Sequence, residues 1–130
     1  MSKEVKYPSK ETIIRLTKEL QLKGGHKFTQ DWEYEVANAE QLQNYIEYYQ
    51  KEKLNVNEKA TLMRIILEAY NDLVGLNDQE CRYGDMIKKL LECDYSIQEE
   101  TIKYWSCEGE ELENCFTITA FIRAFLKSKK

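Results

Sequence analysis

Four cysteines, a single histidine and several closely spaced carboxylates are the residues that could do covalent, metal or acid–base chemistry. Cys81, Cys93, Cys107 and Cys115 are separated by wide, unequal gaps, without the C-x₂₋₄-C pairing that brings two thiolates to one zinc ion. His26 is the sole imidazole, which rules out a multi-histidine metal site in this sequence. A Cys–His nucleophile needs a thiol activated by a neighbouring base, a cation or a helix N-terminus, and nothing in the sequence places a cysteine near His26. Gly24-Gly25-His26-Lys27 lacks the G-x-x-x-x-G-K-[ST] phosphate loop and follows a helical stretch, not a strand. Asp31, Glu33 and Glu35 miss the calcium-loop pattern, because Trp32 and Tyr34 interleave and no glycine follows. The pairs Glu33/Glu35, Glu99/Glu100 and Glu110/Glu111 lie in hydrophilic stretches, where neither carboxylate is desolvated enough for general acid catalysis. The expectation is therefore no catalytic residue, no metal ligand, no cofactor and no enzymatic activity. The thiols are expected reduced and several of them buried, because a chain with a sizeable core does not need a disulfide framework.

What remains is charge and aromatic surface. The net charge is −4 and unevenly spread. Residues 1–27 hold seven Lys/Arg against three Glu, residues 92–113 hold eight Asp/Glu against one Lys, and the C-terminal residues are basic again. An acidic middle does not suit nucleic acid, which is bound by clustered positive charge. It suits a protein partner with a basic surface. Nine tyrosines and two tryptophans stand among the 130 residues, and aromatic anchors beside charge are what interfaces use. The candidate partner-binding residues are Asp31, Trp32, Glu33, Tyr34, Tyr48, Glu108, Glu110, Glu111 and Glu113. Tyr45 and Tyr49 share a helical side with Tyr48 but sit at core spacing, as does Trp105. A homodimer through the aromatic helix face stays open.

The elements that must carry these residues are mostly helices. One proline and five glycines leave few breakers. A first helix is predicted over 11–23, with Ile13, Leu16 and Leu20 inward, Ile14 and Leu22 widening the stripe, and Gly24-Gly25 as its stop. Residues 26–36 alternate apolar and polar, the period of a strand. With no evident partner strand, 28–36 reads as an extended segment over the helices or an isolated edge. Asn38 with Gln41 suggests a capping box for a helix to about residue 53, with Leu42, Tyr45, Ile46 and Tyr49 on one face. Asn57 is the expected cap of a helix over 58–74 that is apolar around most of its circumference, hence central, with Gly75 as its end. A fourth helix should run from 78 or 79 to 93, with Ile87, Leu90 and Leu91 inward; Gly84 weakens it and leaves room for close packing. Ser96 with Glu99 is the expected capping box of a fifth, residues 106–115 an acidic loop, and Thr117 or Thr119 the start of a sixth with Ile118, Phe121, Ile122 and Phe125 inward. The expected fold is mainly α: about six helices in an antiparallel array or bundle around the 58–74 helix, one domain over 1–130, with 1–9 and 127–130 frayed. No apolar run approaches a membrane span and the first residues carry no apolar leader, so the expected location is the cytoplasm.

Three stretches taken together carry a resemblance: Trp32-Glu-Tyr-Glu-Val-Ala-Asn38, Thr61-Leu-Met-Arg-Ile-Ile-Leu-Glu-Ala-Tyr70, and Ile102-Lys-Tyr-Trp105 followed by the acidic loop and Ile118-Thr-Ala-Phe-Ile-Arg123. Across about residues 30–125 they resemble small helical bacterial immunity proteins of secreted toxin systems. That class shares no catalytic motif, so no functional residue carries over. The resemblance implies that the chain binds one cognate toxin and blocks it. A helical adaptor without inhibitory activity is the alternative, and an enzyme using a cysteine with His26 a third class.

Overall fold

The structure is a computed structural model, and it describes residues 9–22, 37–76 and 82–128. Six α-helices stand among the described residues, with no strand: α1 (Lys10–Leu20), α2 (Leu42–Lys51), α3 (Val56–Leu76), α4 (Arg82–Cys93), α5 (Tyr95–Ser106) and α6 (Thr119–Ser128). Short 3₁₀ turns at Ala39–Gln41 and Leu112–Asn114 precede α2 and α6. The segment 28–36, read as extended, lies outside the described residues.

α3 is the axis of the fold, as its nearly all-round apolar surface requires. Leu62, Met63, Ile65, Ile66, Leu67 and Ala69 have no exposed surface, and α1, α2 and α5 pack against this helix. α4 packs on α2 and α5, and α6 on α5. The faces chosen by periodicity are the buried ones: Ile13 and Leu16 of α1, Leu42, Tyr45, Ile46 and Tyr49 of α2, Ile87 and Leu91 of α4, Ile102 and Trp105 of α5, Ile122 and Phe125 of α6. Ile14, expected to widen the stripe of α1, instead faces outward at 52% exposure. Gly84 permits close packing: a Cβ there would stand 2.9 Å from the Tyr70 hydroxyl and 3.2 Å from Phe121 Cε1.

The helix ends differ from the sequence expectations, and each has a physical reason. α1 starts at the Ser9 hydroxyl, which accepts from the Thr12 N–H at 3.1 Å, and closes on Gln21 in the left-handed region (φ 55°), short of the glycines. Asn38 does cap, but caps the 3₁₀ turn, accepting from the Glu40 N–H. Gln41 holds the Asn44 amide rather than completing a box, and the Asn38 N–H donates instead to the Tyr45 hydroxyl. The box at α3 is made by Asn55, not Asn57: the Glu58 N–H donates to Asn55 Oδ1 at 2.8 Å and the Asn55 N–H donates to Glu58 Oε1 at 2.9 Å. Asn57 reaches across to accept from the Ser9 N–H. α3 continues through Gly75 to Leu76. Ser96 lies inside α5, because Asp94 alone separates α4 from α5 and its carbonyl accepts from the Ile97 and Gln98 N–H groups.

Candidate functional site

Residues 107–115 connect α5 to α6 and carry Glu108, Glu110, Glu111 and Glu113, all exposed. Two features fix this loop. The first is a Cys107–Cys115 disulfide with a Cα–Cα distance of 6.0 Å. It corrects the expectation of reduced thiols: Cys107 at the left-handed end of α5 (φ 54°) and Gly109 (φ 85°) turn the chain back sharply, and two cysteines eight positions apart come within bonding reach. The second is Arg123 of α6. Its Nε donates to the Ser106 carbonyl at 2.8 Å, and its Nη2 donates to the Cys107 and Glu110 carbonyls at 2.7 and 2.9 Å. One rigid guanidinium thus satisfies carbonyls at the end of α5 and within the loop, a job its planar set of donors is suited to.

The loop returns to the core through an aromatic seat. The Phe116 ring lies 4.5 Å from Trp105 and 5.2 Å from Tyr104, centroid to centroid. Thr119 Oγ1 accepts from the Phe116 N–H and donates to the Trp105 carbonyl, which fixes where α6 begins. Tyr104, against Phe116, and Leu112, between Glu111 and Glu113, remain half exposed, at 51% and 52%. Beside the loop, a groove of about 400 Å³ is bordered by Tyr95, Glu99, Glu100, Lys103, Glu108 and Leu126, so that Glu108 belongs to both loop and groove. Four exposed carboxylates on a loop whose backbone is held, with half-exposed aromatic and aliphatic side chains, have the chemistry that suits a basic protein surface: the charges steer and the apolar groups anchor.

The other sequence candidates are placed differently. Asp31, Trp32, Glu33 and Tyr34 lie outside the described residues. Tyr48 is half-buried and engaged: its hydroxyl donates to Glu19 Oε1 at 2.5 Å and the Arg15 guanidinium sits over its ring at 6.0 Å. Burial and the Glu19 carboxylate push the Tyr48 hydroxyl up to about 12. Tyr48 is a brace between α1 and α2 rather than an open anchor. The same Arg15 pairs at 2.9 Å with Glu58, which is 7% exposed. Tyr104 was missed because its helical position, one before a core tryptophan, gave no sign of what would cover it.

A second polar cluster ties α2, α3 and α5 together. The Tyr49 hydroxyl donates to Asp94 Oδ2 at 2.9 Å and accepts from Gln98 Nε2 at 2.9 Å, and Lys59 Nζ lies 3.2 Å from Asp94 Oδ1. Burial, then the Asp94 carboxylate, raises the Tyr49 hydroxyl far above the ordinary phenol range. This cluster borders an open cavity of about 450 Å³ that also touches Lys89, Leu54 and Cys93, whose thiol is free and exposed rather than buried. No cluster of three or more His, Cys, Asp or Glu side chains positioned for a metal ion occurs among the described residues, and no described helix is long and apolar enough to cross a membrane. Compared with known proteins, the chain matches no family model, no curated protein and no solved structure.

Proposed function

We propose that this chain is a protein-binding module, an immunity protein that binds one cognate bacterial toxin and neutralises it. The observation that supports this most is the loop 107–115: four exposed glutamates on a segment fixed by a disulfide and by Arg123. Ordering such a loop in advance lowers the entropic cost of docking. The proposed target surface is basic, of the kind a nuclease-like toxin uses to hold phosphate, and the loop occupies it as a competing polyanion. Glu108, Glu110, Glu111 and Glu113 supply charge, while Leu112 and Tyr104 supply apolar contact. No catalytic role is assigned to the chain. The proposed location is the cytoplasm, where the reducing conditions set the balance between the closed, docking-ready loop and its dithiol form, which keeps only the hold of Arg123.

The test begins by capturing the partner with tagged protein at low salt. The triple variant Glu110→Lys, Glu111→Lys and Glu113→Lys is then compared with the native chain, by affinity and by whether it still abolishes the partner's activity. These side chains are exposed and outside the core, so the variant should melt with the native protein. Reversing three charges against a basic surface should weaken binding by roughly a hundredfold or more, and added salt should erase much of the difference. Equal affinity of the two chains would discard the acidic-mimic reading. A tight partner whose activity survives binding would favour the adaptor alternative.

A further inference from the structure

We infer that the Cys107–Cys115 bond is a reversible thiol–disulfide switch that opens and closes the acidic loop. As a regulation of docking this rests on the function proposed above, whereas the chemistry of the bond does not. Three observations carry it. Neither cysteine belongs to the hydrophobic core, and both are partly exposed residues of a surface loop. The core is complete without the bond: the helices pack through α3, and the end of α5 and the start of α6 are held by Arg123 and Thr119. The Cys115 sulfur also has groups suited to both of its reduced forms. Arg123 Nη2 lies 3.8 Å away, a cation to favour a thiolate, and the Glu111 carbonyl lies 3.2 Å away, an acceptor for a thiol S–H. A sulfur that departs as a stabilised thiolate departs faster.

The exchange balances with a dithiol as reductant. One of its thiolates attacks the Cys107 sulfur, forms a mixed disulfide and releases Cys115, which takes up a proton. Its second thiolate then closes the reductant's own disulfide and releases Cys107 as a thiol. Two electrons and two protons pass from the dithiol to the loop. Arg123 keeps its hold on Ser106, Cys107 and Glu110, so opening falls on the far limb, around Glu111–Asn114. Those residues carry two of the four glutamates.

The experiment uses the full chain under native conditions with dithiothreitol as the probe. Alkylation and mass analysis count the thiols, a Glu-specific endoprotease reads the loop, and far-ultraviolet circular dichroism reads the helices. The expected result is that both Cys107 and Cys115 become alkylated while the helical signal stays unchanged. Cleavage after Glu111 and Glu113 should rise by roughly tenfold to 70-fold, the upper figure being the loop-closure limit for a separation of eight. Resistance should return when a small-molecule disulfide reoxidises the loop, and the double variant Cys107→Ser, Cys115→Ser should be cleaved like the reduced chain. Thiols that appear only in denaturant, helices lost on reduction, or cleavage indifferent to the bond would each overturn the inference. None of these readouts needs a partner, so their failure and the failure of the toxin-binding reading are told apart.

Discussion

Gly84 gives the sharpest test of the packing. Replacing it with alanine sets two effects against each other. A methyl in a helix is favourable by up to about 1 kcal/mol over glycine through backbone entropy and propensity. Here the new Cβ would meet the Tyr70 hydroxyl at 2.9 Å and Phe121 Cε1 at 3.2 Å. Tyr70 does not withdraw easily: it is 5% exposed, and its ring stands edge-on to the partly buried Phe121 at 5.3 Å and 71°, so a shift of one presses on the other. Overpacking of this kind costs about 1–3 kcal/mol. Gly84→Ala should therefore lose roughly 1 kcal/mol net, from the difference of the two ranges. For a domain of this size that lowers the melting temperature by about 3–5 °C. Urea unfolding measures it, with the shift in midpoint and not in slope. Phe121→Leu removes one of the two obstacles, so the same alanine should cost less in that background. If Gly84→Ala raises stability by about 1 kcal/mol in both backgrounds, the close approach of α4 to Tyr70 and Phe121 is wrong.

Two further outcomes follow from the polar clusters. Glu58→Ala removes both the return bond of the α3 capping box and the nearest of three carboxylate partners of Arg15, which keeps Glu19 and Glu52, and should cost about 1–2 kcal/mol in denaturant titration, most of it from the cap; a loss indistinguishable from zero would mean that neither contact persists. The raised Tyr49 hydroxyl makes a contribution that is whole below pH 10 and is lost as pH climbs from there toward its folded value, at about 1.4 kcal/mol per pH unit, so Tyr49→Phe should unfold less steeply between pH 10 and 11, and an unchanged slope would contradict its burial.

The sequence was informative where structure is local and periodic. Ile65, Ile66 and Ala69 could be placed at the centre because one helix apolar on nearly every side has only one comfortable position in a small domain. Trp105, Ile122 and Phe125 were legible for the same reason. Caps were harder: Asn55-Val-Asn57 offers two candidates, and the one that caps is Asn55, whose spacing to Glu58 is that of a capping box, while Asn57 has Ala60 three residues on. Ser96-Ile-Gln-Glu99 has the right spelling in the wrong place, because α5 follows α4 after only one residue and Asp94 already occupies the capping position. Glu108–Glu113 could be seen as acidic and exposed, but the bonds that hold their loop could not. Those come from Arg123, thirteen residues beyond Glu110, and from a sulfur pair bridged across left-handed backbone at Cys107 and Gly109. Tyr48 looked open on its own helix, and only the placement of Arg15 and Glu19 on a different helix shows it engaged.

The hold that Arg123 takes on the loop has a consequence for how such a protein could diversify. The guanidinium grips carbonyl oxygens of Ser106, Cys107 and Glu110, atoms that every amino acid carries. The side chains at 108, 110, 111 and 113 point to solvent, and the bonds that shape the loop run through main chain, cysteine and arginine. The frame is therefore indifferent to the lettering it displays. Charge at these four positions can drift, reverse or acquire a new pattern at almost no expense in folding, because no neighbour in the core registers the change. A lineage built this way could follow a changing target by rewriting four surface positions while its fold stood still.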